Sequence, residues 1–229
     1  MNSPVRVLLI GAAGRMGQTV RDLASADSQI QIAAQCDLKD PIQPAMKNCD
    51  VAIDFSHADA VDEIFRAALH HRTPLVIGTT GHSQEQRRKI EDAGQVLPIV
   101  FASNFSVGVN VLFFLAGKAA ELLASDFNPE ILETHHKMKK DAPSGTAKTL
   151  AEVLKSSGTI DNEIPIQSIR EGDVVGEHSV IFSGPGEQLE LTHRAASREI
   201  FARGALRAAK WIIGRSPGLY SMQDVMGLS

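Results

Sequence analysis

Val5-Arg-Val-Leu-Leu-Ile-Gly-Ala-Ala-Gly-Arg-Met-Gly17 decides how this 229-residue chain is read. Residues 5–10 are mostly apolar and rich in branched side chains, the composition of a strand buried on both faces. Gly11, Gly14 and Gly17 then open a predicted helix running to about Ala24. Ile30-Gln-Ile-Ala-Ala-Gln-Cys36 is a second strand, ending at Asp37. The result is a βαβ unit with a glycine turn at its first crossover. That is the dinucleotide-binding fingerprint, spaced G-x-x-G-x-x-G in place of G-x-G-x-x-G. Gly11 allows the tight turn, Gly14 lets the backbone approach a pyrophosphate, and Gly17 lets helix and strand pack closely. Ala12, Arg15 and Met16 complete the loop. Asp37, twenty residues after Gly17, stands where an acid binds the adenosine ribose hydroxyls. A purely structural βα turn is the bland alternative. A preceding strand, a following helix and a downstream acid together weigh against it. Asp37 favours NADH, because a carboxylate repels a 2′-phosphate, whereas Lys39 and Arg15 would attract one. NADH and NADPH both remain open.

The alternation continues. Val51-Ala-Ile-Asp-Phe55, Pro74-Leu-Val-Ile77 and Leu97-Pro-Ile-Val-Phe-Ala102 are predicted strands, separated by helices over about 58–70 and 84–93. This pattern predicts an α/β fold with a Rossmann-type, doubly wound parallel sheet. Ligands of such sheets bind beyond the C-terminal strand ends. Phe55, the trio Gly78, Thr79 and Thr80, and the trio Ala102, Ser103 and Asn104 lie at such ends. They are placed to line the nicotinamide half of a cofactor. Beyond Ser106 the pattern changes. An apolar helix over about 109–123 is followed, further on, by strand-like runs at 165–170, 177–182 and 188–195, with Gly184-Pro185-Gly186 as a turn. These runs predict a second, α+β domain built on an open mixed or antiparallel sheet. A helix over 198–213 follows, with Trp211 and Ile212 read as core. The tail at 218–225 yields no chemistry.

Bulk properties narrow the function. With 43% hydrophobic and 22% charged residues the chain is globular. A net charge of −4 argues against general binding to nucleic acid or an anionic membrane. Cys36 and Cys49 form no CxxC motif or disulfide framework, which suits a reduced, cytoplasmic protein. No signal peptide precedes the first strand, and no apolar run reaches transmembrane length.

Within this acidic protein one stretch is basic: Glu133-Thr-His-His-Lys-Met-Lys-Lys-Asp-Ala-Pro-Ser-Gly-Thr-Ala147. A strand, a polar loop and a helix predicted over 147–155 make an anion site. Backbone N–H groups of Gly145 and Thr146 and hydroxyls of Ser144 and Thr146 would face the ligand. Lys137, Lys139 and Lys140 add positive charge, and His135 and His136 exchange protons near neutral pH. A solvated basic loop is the plain alternative. A metal is not expected, since the two histidines lack a third ligand at convincing spacing and the lysines would repel a cation. A dinucleotide domain followed by such a pocket implies hydride transfer to a small anionic acceptor, with a side chain of this loop supplying the balancing proton.

The loop closely resembles the signature of the 4-hydroxy-tetrahydrodipicolinate reductase (dihydrodipicolinate reductase) family. The resemblance extends to Gly11–Gly17, Gly78-Thr-Thr-Gly81, Ser103-Asn-Phe-Ser-Val-Gly-Val-Asn110, Ile169-Arg-Glu-Gly-Asp-Val-Val-Gly-Glu-His178 and Met222-Gln-Asp-Val225. It implies reduction, with NADH or NADPH, of the 4-hydroxy-tetrahydrodipicolinate-derived imine to tetrahydrodipicolinate in the diaminopimelate route to lysine. It implies that His135 and Lys139 handle the proton, Lys139 being the stronger donor candidate. By the same resemblance His136, Lys139, Ser144, Gly145 and Thr146 hold a dicarboxylate substrate, and Gly11, Arg15, Met16, Asp37, Gly78, Thr80, Ser103 and Phe105 contact the cofactor. A homotetramer built through the second domain's sheet is implied too. The chain is expected to return to the first domain at its C-terminus, giving domains 1–105 plus 199–229 and 106–198, with hinges near 103–106 and Arg198. Loops at 37–50 and 155–165 look trimmed against many members, and Leu38 stands where NADPH-using relatives often carry Arg. An amino-acid dehydrogenase such as an aspartate dehydrogenase, or a non-catalytic NAD(P)-binding regulator, would not need the His-His-x-x-Lys loop.

Overall fold

The structure is a computed structural model that describes residues 3–158, 160 and 162–228. The chain divides into two compact units, Met1–Ser106 with Glu199–Ser229, and Val107–Arg198. The first unit begins with β1 (Val5–Ile10), α1 (Arg15–Ser25), β2 (Ile30–Cys36), α2 (Ile42–Met46) and β3 (Val51–Asp54). α3 (Val61–His71), β4 (Leu75–Ile77), α4 (Gln84–Gly94) and β5 (Pro98–Phe101) follow. The second unit holds α5 (Val107–Leu123), β6 (Asn128–His135), α6 (Gly145–Ser156), β7 (Ile166–Arg170), β8 (Gly176–Gly184) and β9 (Glu187–Ala195). The chain then adds α7 (Glu199–Trp211), β10 (Gly218–Tyr220) and α8 (Met222–Met226) to the first unit.

The first unit is the predicted α/β fold with a Rossmann-type, doubly wound parallel sheet. Its six strands are all parallel, in the order β10-β5-β4-β3-β1-β2. Alternate residues of β1 serve opposite faces. Val7 and Leu9 pack with α1, α7 and α8 in one apolar cluster, whereas Leu8 and Ile10 pack with α2, α3 and α4 in another. All four are fully or almost fully buried, which is why the strand reads as a continuous apolar run. The five predicted strands are present. β10 is an addition, since three residues at the end of a tail give no periodic signal. Ser221 caps the helix after it through a capping box with Asp224. α2 is a second addition, because five residues containing Pro44 carry little helical pattern.

The second unit has a four-stranded mixed sheet in the order β7-β6-β8-β9. β6 runs parallel to β7 and antiparallel to β8, and β8 and β9 form a hairpin turned by Pro185 and Gly186, the latter at φ +83°. α5 and α6 cover one face, burying Ile131, Val180 and Phe182 against Leu112, Phe113 and Leu150. The loop at 155–165 includes two positions outside the described residues, 159 and 161. α6 begins two residues earlier than the apolar pattern indicated. Gly145 and Thr146 form its first turn, and Ser144 is the N-cap, accepting a hydrogen bond from the Ala147 N–H at 3.2 Å.

Candidate active site

In the first unit the glycine loop sits at the C-terminal end of β1. The N–H groups of Gly11 and Ala12 donate to the Cys36 carbonyl, which ties the loop to the end of β2. Gly11 is left-handed at φ +81°, and a Cβ there would lie 2.5 Å from the Phe55 carbonyl oxygen. A Cβ on Gly17 would lie 2.2 Å from the Gly11 carbonyl oxygen, so only glycine lets α1 approach the turn. Gly14 is different. It is the N-cap of α1, has no side-chain cap, and a Cβ on it would touch only the Gly11 carbonyl, at 3.2 Å. The first turn of α1 carries no acid. This is an open, positively polarised helix start, and it fits a pyrophosphate. Asp37 reaches back to the loop, its carboxylate accepting from the Ala13 N–H at 2.9 Å.

The other predicted cofactor residues follow the ends of β3, β4 and β5. Gly78 gives its space to the Phe55 ring, which a Cβ would meet at 2.2 Å. Buried Asp54 fixes the bend after β3 by accepting from the Ser56 N–H at 2.9 Å and the Ser56 hydroxyl at 2.5 Å. Thr80 and Ser103 are exposed, while Phe55, Ala102 and Asn104 are half-buried. Thr79 and Phe105 are buried, and Phe105 packs in the core edge-on to Phe55 with centroids 6.0 Å apart.

In the second unit β6 delivers its last residues to the basic loop. Glu133 and His135 lie two apart on one strand, so both point to the same, buried face. His135 Nδ1 is hydrogen-bonded to the Glu133 carboxylate. The same carboxylate accepts from the Arg170 guanidinium at 2.8 Å and the Ser144 N–H at 3.3 Å. Burial would push the Glu133 carboxyl up, but the Arg170 and His135 hydrogen bonds overcome it and hold the group below the usual carboxylate range. Burial pushes His135 down, opposed by Glu133. His178, on β8, packs edge-on against His135 with centroids 5.0 Å apart, and its Nε2 shares a hydrogen bond with the Ser144 hydroxyl at 3.2 Å. Burial drives His178 down to about 3, so it is neutral at physiological pH.

Glu133, His135 and His178 stand close enough to suggest a cation site. The carboxylate, however, already neutralises Arg170, and Lys139 adds further positive charge to the field at His135. The cluster is a buried hydrogen-bonded group whose carboxylate is already paired with a cation of the chain itself. Lys139 is half-buried, with Nζ 2.8 Å from the Asp141 carboxylate, while Lys137 and Lys140 are exposed. His136 lies 3.4 Å from the Arg198 guanidinium. Gly145 is exposed, with nothing within 4 Å of where its Cβ would be. Glu133, Arg170 and His178 join this centre without any local sequence pattern that marks them. Glu133 looks like a polar position in a strand, and Arg170 and His178 lie far along the chain. The signal that could have found Arg170 and His178 is the stretch Ile169–His178, which carries part of the family resemblance.

A parallel sheet with a glycine-rich first crossover, joined to a unit bearing a buried histidine–carboxylate centre, defines an NAD(P)H-dependent oxidoreductase of two domains. The comparisons narrow the class. Residues 5–105 match the family model described as dihydrodipicolinate reductase, N-terminus, and residues 108–226 match the model described as its C-terminus. The chain belongs to the dihydrodipicolinate reductase family. It is 47% identical over 245 residues to a 4-hydroxy-tetrahydrodipicolinate reductase of Akkermansia muciniphila, covering 98% of this chain and 99% of that protein. It is 42% identical over 251 residues to the protein of the same name from Zymomonas mobilis, covering 99% and 98%. Its fold is similar to that of a dipicolinate-bound dihydrodipicolinate reductase from Paenisporosarcina sp. TG-14, with a TM-score of 0.81 at 23% identity, covering 96% and 98%.

Proposed function

We propose that the chain reduces the 4-hydroxy-tetrahydrodipicolinate-derived imine to tetrahydrodipicolinate, in the diaminopimelate route to lysine. The carrying observation is the centre at the end of β6, where His135 is bonded to buried Glu133 and followed by Lys139. Bound NADH or NADPH supplies the hydride, and the chain supplies position and proton. Lys139, paired with Asp141 at 2.8 Å, donates the proton that balances the hydride, and His135 is its acid–base partner. His136, Lys139 and the first turn of α6, with Ser144, Gly145 and Thr146, hold the two carboxylates. The Ser144 hydroxyl acts there through the helix it caps, being already bonded to Ala147 and His178. The first unit is the dinucleotide-binding domain. Gly11, Ala12, Gly14, Arg15, Met16 and Gly17 hold the pyrophosphate, Asp37 the ribose, and Phe55, Gly78 to Thr80 and Ala102 to Phe105 the nicotinamide half.

The second unit carries substrate binding and assembly. The sheet face turned away from α5 and α6 presents Leu132, Thr134, Ile181 and Thr192, all half-buried, which supports a homotetramer formed through it. A cytoplasmic enzyme is part of the same proposal; no described helix is long and apolar enough to cross a membrane. The test is NADH and NADPH oxidation with the condensation product of pyruvate and aspartate semialdehyde. Turnover with either coenzyme is expected. Oxidation of neither would reject the reading.

A further inference from the structure

Three residues surround the His135 ring: Glu133, Arg170 and Gly176. Glu133, fully buried, is an acceptor only once ionised, so the bond between them fixes the ring proton on Nδ1. Arg170 reaches the same carboxylate from β7 at 2.8 Å, keeping it ionised and in place. On the opposite edge of the ring lies Gly176 of β8. A Cβ at that position would stand 3.1 Å from His135 Nε2 and 3.6 Å from the His178 ring. Gly176 is itself buried. The charged and titratable groups facing His135 are therefore Glu133 from its own strand, Arg170 from β7, His178 from β8 and Lys139 from the loop. Of these only Glu133 favours the doubly protonated ring.

We propose that Glu133, Arg170 and Gly176 are positioning residues for His135: the Glu133–Arg170 pair locks the Nδ1–H tautomer, and Gly176 leaves Nε2 uncovered as a lone-pair acceptor. The idea deepens the reading of His135 as part of the proton centre. His135 then serves the reaction as an acceptor at Nε2, its ring orientation set by a partner that never touches substrate. Burial lowers the tendency of the ring to take a second proton, in keeping with the neutral form.

The tautomer is read without turnover, from ¹⁵N-resolved NMR of histidine-labelled protein near pH 7.5, with the His135 signals identified by their loss in His135→Gln. A pyrrole-type Nδ1 and a pyridine-type Nε2 are expected in the wild type. In Glu133→Gln the amide turns its NH₂ from Arg170 towards the ring, so the Nε2–H tautomer should appear. With it, kcat should fall about ten- to a hundred-fold while the KM for NADH stays within two-fold. Gly176→Ala should keep the Nδ1–H tautomer yet lower kcat, because the methyl presses on Nε2. A wild-type ring protonated on Nε2 overturns the proposal outright, needing no variant to fold. So does a Glu133→Gln protein with unchanged tautomer and kcat. If the wild type does not turn over at all, the tautomer still decides the geometry, and the failure belongs to the proposed reaction.

Discussion

Lys139 and Gly145 allow the sharpest tests at the scale of single residues. Lys139 is held to Asp141 at 2.8 Å and stands four residues after His135. Replacing it with alanine removes the proposed donor and should lower kcat by about 10²–10⁴, the usual worth of a general acid. Unchanged turnover would take Lys139 out of the mechanism. Gly145 has a helical place in the first turn of α6 and open space where a methyl would go. Gly145→Ala should therefore leave the free protein as stable or up to about 1 kcal/mol more stable in urea titration. The same methyl would intrude on the carboxylate subsite and raise the KM for substrate. A destabilised Gly145→Ala protein would show that the space is needed for folding instead.

Elements owe their ends to local chemistry and their positions to pairing. α4 and α8 each begin with a capping box, Ser83 with Gln86 and Ser221 with Asp224. α8 directly follows β10, which pairs with β5 although it is only three residues long. The Trp211 ring supports the same corner, edge-on to Tyr220 at 5.2 Å and under the Arg215 guanidinium at 4.1 Å. Ser221→Ala leaves two first-turn N–H groups without their acceptor and should cost about 1 kcal/mol in urea unfolding. The KM for substrate should not change, since the cap lies in the other unit. A loss below a few tenths of a kcal/mol would mean that tertiary packing alone secures the tail. The pattern of legibility is physical. Long strands buried on both faces, such as β1, are visible as apolar runs, whereas β10 depends on neighbours that the sequence does not place beside it.

At the scale of the whole molecule, burial of histidines ties stability to pH. His178 takes a proton near pH 6.5 when unfolded but not until about 3 when folded. Between these values the unfolded chain binds more protons, so stability falls as pH falls, by about 1.4 kcal/mol per unit from this residue. Burial depresses His82, His135 and His193 in the same direction. Buried Asp54, whose carboxyl burial pushes up, works the opposite way. The urea midpoint should thus drop between pH 7 and pH 5, and His178→Asn should flatten the dependence. An equal slope in that variant would place the effect elsewhere. Assembly is tested at this scale too, by light scattering on the eluting protein, with a mass near four chains expected. A monomer would leave the second sheet's outer face unexplained.

The sequence by itself determined the doubly wound parallel sheet, the glycine turn with its acid at the end of β2, and the basic loop between β6 and α6. These are local matters: apolar periodicity, backbone freedom at Gly11, and a run of charged residues inside fifteen positions all act over short spans of chain. Only the tertiary structure decided what surrounds His135. Glu133 is a strand residue like any other until β7 brings Arg170, 37 positions away, to its carboxylate, and β8 brings Gly176 and His178 to the other side of the ring. Strand register sets these meetings, and register is fixed by which faces must be buried once the sheet closes over α5 and α6, a condition no short stretch of sequence carries.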